Sequence, residues 1–127
     1  MGYRSDVMAV FYTYDPIEFP SIKLFIDEHV PEWCKDEEHM RVFKRERNQS
    51  TLQGIVFDFR GVKWYESYPD VQEFDQAMRK FEKLADDGDK WLWEFVRLGE
   101  NLDDVEEKSS YQADGLLYVS RSIECDF

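Results

Sequence analysis

Leu52-Gln-Gly-Ile-Val-Phe-Asp-Phe59, Arg60-Gly61 and Val62-Lys-Trp-Tyr65 run into Asp70-Val-Gln-Glu-Phe-Asp-Gln-Ala-Met-Arg-Lys-Phe-Glu-Lys-Leu-Ala-Asp-Asp-Gly88, and this stretch decides the class of fold. Its first part is rich in β-branched and aromatic residues and predicts two strands, 52–59 and 62–65. Arg60-Gly61 is then the tight turn of an antiparallel hairpin. The second part changes period. Val71, Phe74, Met78, Phe81 and Leu84 hold one helical face, Asp70 and Glu73 form a capping-box-like pair, and Gly88 stands where a C′ glycine ends a helix.

Towards the N-terminus, Val7-Met-Ala-Val-Phe-Tyr-Thr-Tyr14 reads as a strand stopped by Asp15-Pro16. Ile22, Phe25, Ile26, His29 and Val30 then recur at helical spacing, with Ser21 as cap and Pro31 ending the helix at Val30. Residues 32–48 are mixed and charged; Met40, Val42 and Phe43 suggest a short strand or a turn of helix. Towards the C-terminus, Trp91 to Leu98 reads as a strand ending at Gly99. Glu100 to Gly115 reads as an acidic, mobile loop anchored by little more than Leu102, Val105 and Tyr111, and Leu116 to Ile123 as a final strand.

The succession is β, α, β, β, α, β and one more β. It predicts an α+β fold, a mainly antiparallel sheet with two helices on one face: a ferredoxin-like core with an extra C-terminal strand. At 127 residues, with 43% apolar and 17% aromatic residues, residues 1–127 are expected to form a single domain.

Charge is unevenly placed. The net charge is −12; residues 1–63 carry 9 Lys/Arg against 11 Asp/Glu, and residues 64–127 carry 7 against 17. Such a field repels nucleic-acid phosphates and favours basic partners, so direct nucleic-acid binding is not expected. No apolar run reaches the roughly 18 residues of a membrane span, and the N-terminus lacks the h-region of a secretory signal. Gly2 opens a weak myristoylation pattern, because Asp6 stands where Ser or Thr is needed. Two cysteines, Cys34 and Cys125, without CxxC spacing fit a reducing, cytoplasmic compartment.

No catalytic constellation is legible. His29, Cys34 and His39 fall short of a zinc set, which wants four ligands with closer pairing. Ser120 and Ser122 lie on a predicted strand and not on a nucleophile elbow. Gly54, Gly61, Gly88, Gly99 and Gly115 are isolated, so no phosphate loop exists, and carboxylate pairs are guaranteed by the number of acids. Arg41, Lys44, Arg45 and Arg47 read as a solvated face. No metal or cofactor is expected.

What remains is the acidic surface. Asp86, Asp87 and Asp89 gather at the end of the second helix, and Glu100, Asp103, Asp104, Glu106 and Glu107 line the loop before the last strand. These eight residues are the candidate binding face for a basic protein surface; the plainer reading is solubility. An enzymatic reading would need Arg4, Asp6, Lys63, Arg97 and Arg121 to converge in a charged pocket.

The opening Met1-Gly-Tyr-Arg-Ser-Asp-Val7, together with Gly61-Val-Lys-Trp-Tyr-Glu-Ser-Tyr-Pro-Asp-Val71 and Phe95-Val-Arg-Leu-Gly-Glu100 followed by Asp103-Asp104, resembles small uncharacterised proteins of tailed bacteriophages and prophages. The resemblance covers scattered blocks across most of the chain; Pro16, Pro20 and Pro31 make the first helical region atypical. It implies a phage accessory protein of the host cytoplasm. The expected role is non-enzymatic: a host-takeover or anti-defence factor that binds and inhibits a host or phage protein through its acidic C-terminal half. The alternatives are an enzyme with a charged pocket and a small virion or assembly component, the last of which would form stable oligomers.

Overall fold

A computed structural model describes residues 2–88, 90–101, 103–119, 123–125 and 127. Asp89, Leu102, Ser120, Arg121 and Ser122 lie outside the described residues. The elements are β1 (Ser5–Thr13), α1 (Phe19–His29), a 3-10 turn (Glu32–Cys34), β2 (Met40–Arg47), β3 (Ser50–Val62), α2 (Pro69–Asp87), β4 (Leu92–Gly99), β5 (Val105–Ser109), β6 (Leu117–Val119) and β7 (Ile123–Cys125). The fold is α+β. Five strands form one antiparallel sheet in the order β2-β3-β1-β4-β5, and β6 pairs with β7 apart from it.

β1 lies at the centre because its sequence is apolar on both faces. Val7, Ala9 and Phe11 point to one side and Met8, Val10 and Tyr12 to the other, and all six are buried. The first set joins a core with Ile22, Phe25 and Ile26 of α1 and Phe74, Met78 and Phe81 of α2, so both helices cover one face. The second set meets Leu116, Leu117 and Ile123, which close the opposite face.

Several expectations are corrected. Arg60-Gly61 makes no hairpin and 62–65 is no separate strand: β3 runs unbroken to Val62. Between the pairs Val7↔Phe59 and Ser5↔Val62, β3 spends one more residue than β1, and Gly61 sits there at φ +60°. The glycine serves a β-bulge, which needs a left-handed residue as a tight turn does. The hairpin lies earlier, where Asn48 and Gln49, at φ 52° and 68°, link Arg47 to Ser50 in the manner of a two-residue primed turn.

Neither helix has a side-chain cap. Glu18 precedes α1 and Tyr68 precedes α2, with a proline in each first turn, so neither Ser21 nor the Asp70/Glu73 pair caps. Gly88 is the C-cap itself, in extended conformation, and not a left-handed C′. The expected loop 100–115 contains β5, which hydrogen-bonds to β4. The expected single strand Leu116–Ile123 gives way to the β6–β7 pair, which lies over the sheet and does not join it. The basic run at 41–47 lies on edge strand β2.

Candidate functional site

The described carboxylates singled out from sequence fall into four situations. Asp86 and Asp87 are exposed at the last turn of α2. Glu100 and Asp103 are exposed in the β4–β5 turn, and β4 separates the two ends of the sheet by eight residues, roughly 24 Å at strand rise. Glu107 is exposed on β5, opposite Val96. The seven described candidates are therefore not one face; the eighth, Asp89, lies outside the described residues.

Asp104 and Glu106 are structural. Arg97 on β4 donates to Asp104 at 2.7 and 3.2 Å, to Glu106 at 3.2 Å and to Ser5 at 3.2 Å. The Tyr3 hydroxyl donates to the same Asp104 at 2.7 Å, while the Tyr3 backbone N–H donates to the Tyr65 hydroxyl at 2.6 Å. The Arg97 and Tyr3 hydrogen bonds hold the Asp104 carboxyl at about 2, well below its ordinary range. Burial works to raise Glu106, but hydrogen bonds from Lys108 and Arg97 outweigh it and its pKa is lowered. Gly99 permits this clasp: a Cβ there would lie 2.2 Å from both the Asp104 carboxylate and the Tyr3 hydroxyl. Asp104 and Glu106 thus fasten the start of β5 to β4 and to Tyr3.

A residue overlooked in sequence is Glu94. It is 3% exposed, on the face of β4 away from the helices. It accepts from the Tyr12 hydroxyl at 2.6 Å and from the backbone N–H groups of Leu116 and Leu117 at 3.0 Å each. Burial, followed by the bond to Glu94, pushes the Tyr12 phenol far above its ordinary pKa. The Trp91-Leu92-Trp93-Glu94-Phe95 run held the signal, since a lone acid amid strand apolars must be paired if buried.

The charged set proposed for an enzyme disperses. Arg4 donates to the Gly61 carbonyl at 2.8 Å and Asp6 accepts from the Gly61 N–H at 2.8 Å, so both brace the bulge. Lys63 is exposed. Arg97 alone of the described members lines the main groove.

That groove, about 830 Å³, lies between α2 and the β4–β5 edge. Trp64, Tyr65, Phe74 and Phe95 line it, with Glu66, Asp75, Asp104 and Glu106 among its carboxylates and Arg79, Arg97 and Lys108 among its cations. On the other flank of α2, Asp27, Glu28, Glu32 and Glu73 line a smaller cleft of about 340 Å³ with His29, Lys35 and Lys80.

Metal-type donors behave differently from the sequence set. Cys34 is buried, and burial raises its pKa far above the ordinary thiol range. His29 packs on Phe25, whereas His39 meets Asp36 at 2.5 Å, with Glu38 near enough for all three donors to lie within 4.8 Å. Three donors on an exposed turn, two of them already bonded to each other, form an Asp–His pair before they form a metal cage.

Topology gathers further acids at the end of the sheet where α2 begins. Glu32, Asp36, Glu37 and Glu38 lie between α1 and β2, Glu66 lies between β3 and α2, and Glu100 and Asp103 lie between β4 and β5. Lys35 and Lys63 are the lysines of those connections. This pole borders the main groove through Glu66 and Asp104. Half of it comes from the first half of the chain, where the linear charge count is nearly balanced.

No protein-family model, curated protein or solved structure matches this chain. Among the described residues, no helix is long and apolar enough to cross a membrane.

Proposed function

We propose that this chain is a non-enzymatic phage accessory protein of the host cytoplasm, a host-takeover or anti-defence factor that docks on a basic protein surface. The observation that carries the binding reading is the acidic pole: exposed carboxylates from three connections lie at one end of the sheet, and Glu66 and Asp104 of that end line the groove. The phage context rests on the resemblance of residues 1–7, 61–71 and 95–104. We further propose a ferredoxin-like core as the scaffold, a reading supported by the order β4-β1-β3-β2 and the succession β-α-β-β-α-β, with β5 in place of the expected C-terminal strand at the edge. Such a core holds several loops rigidly at one end, which suits recognition through electrostatic complementarity.

Capture from bacterial lysate on immobilised protein tests the reading. Wild type and an Asp86→Asn/Asp87→Asn variant are expected to retain the same partner at low salt and release it as salt rises. A Glu37→Gln/Glu38→Gln/Asp103→Asn variant is expected to lose it. Equal capture by all three would remove the pole from the function.

A further inference from the structure

The groove beside the pole already contains a cation in place. Lys108 Nζ lies 5.3 Å from the centre of the Phe95 ring and 2.9 Å from Glu106. An aromatic face with an adjacent carboxylate is the pair of groups that attracts an ammonium or guanidinium.

The three cations of the groove are not held alike. Arg97 is 18% exposed and is fastened by Asp104, Glu106 and Ser5. Arg79 pairs with Asp75 one helical turn away. Lys108 is 43% exposed, on edge strand β5, and among the described residues its ion pair is to Glu106. If Lys108 swings out, Glu106 keeps its bond to Arg97 and the site keeps its shape.

Arg79, Arg97 and Lys108 are each paired with Asp75, Asp104 or Glu106, so the charge of the groove left over is the carboxylate of Glu66. A cation meets the aromatic walls of Trp64 and Tyr65 and the exposed Glu66, which has no partner among the described residues. The volume, about 830 Å³ with Lys108 in place, is within the range of pockets that enclose a small ligand, so a second long side chain has room to enter.

We propose that this groove is the socket for an arginine or lysine side chain of the basic partner, and that Lys108 occupies it until that side chain takes its place. The inference rests on the proposed basic partner and adds the anchoring point. Lys108 is a stand-in for the partner's cation; Phe95 and Glu106 form the clamp.

The test is an NMR titration of the full chain with a capped tetra-arginine peptide at low salt, following the Trp64 indole N–H and the Lys108 side chain. Both signals are expected to shift together with those of the pole. Lys108→Met, which vacates the clamp, should tighten binding roughly two- to fivefold, the scale of one exposed cation–π contact. Lys83→Met, an equal charge change on α2 outside the groove, should have a smaller effect. Shifts at Glu37, Glu38 and Asp103 with Trp64 and Lys108 unmoved would overturn the socket and leave the acidic docking face standing. Equal tightening by the two variants would likewise overturn it. The absence of shifts anywhere would overturn both.

Discussion

The two faces of the one sheet are closed by different physics. On the helix side, Phe11, Phe25, Phe57, Phe59, Phe74 and Phe81 pack edge-to-face or stacked, with ring centres 4.7 to 6.5 Å apart. That face is held by area and shape, which no single polar group controls. On the other side, Leu116, Leu117 and Ile123 supply a much smaller apolar set, and Asp114, Leu116 and Leu117 are attached through the Tyr12 hydroxyl and the Glu94 carboxylate. A small cover contributes little apolar area, so the hydrogen bonds at its root decide whether it stays. One face is robust to charge and sensitive to volume; the other is the reverse.

The contrast is broken most severely at Phe81, which is fully buried and touches Phe11, Phe25 and Trp91. Phe81→Ala is expected to cost about 3–5 kcal/mol through lost contacts and the cavity left behind. Urea unfolding should show this as a single shifted transition. If only the far face loosened, the helix face would not be the main source of stability.

Glu94→Gln keeps the volume and removes the charge. The amide turns a donor towards one of the backbone N–H groups that the carboxylate accepts, so about 1–3 kcal/mol is lost. The loss should be local: hydrogen exchange at Leu116 and Leu117 speeds up, while amides of Phe57 and Phe81 keep their protection. Uniform acceleration would mean the two faces unfold as one.

The helix face was legible in the sequence because a 3.6-residue period and an apolar central strand state it directly. The far face was not, since Leu116 to Ile123 reads as a strand without stating whether it joins the sheet or lies over it. Gly61 shows a different limit: the left-handed signal was read, but a bulge and a hairpin use the same residue. The Asn48-Gln49 turn carried no glycine and was missed. At the site, a net of −10 over residues 64–127 pointed to binding, yet a linear count could separate neither tied acids from free ones nor one end of the sheet from the other.

Acid should sharpen the comparison at the β4–β5 clasp. The Asp104 carboxyl is depressed to about 2 by Arg97 and Tyr3, and Glu106 is lowered too. A depressed folded pKa gives stability that is present above the unfolded value, near 4, and is lost as pH falls towards 2. Melts of wild type should therefore fall over that window. Asp104→Asn should fall less, because its clasp is already weakened at neutral pH, and parallel curves would show that the clasp contributes no linkage.

The smallest effect is expected where the charge is greatest but unattached. Asp103 and Glu107 flank the tied pair, are exposed, and have no partner among the described residues. Replacing them with Asn and Gln should change stability by no more than about 0.5 kcal/mol each, and relief of like-charge repulsion makes a slight gain as plausible as a loss. The same conservative changes at Asp104 and Glu106 replace both charge-paired acceptors of a largely buried guanidinium with neutral amides, each able to offer one oxygen in place of two. Four neighbouring acids should therefore divide two and two. A melt of each double variant measures the division, and equal melts would return the whole stretch to the status of a plain solvated loop.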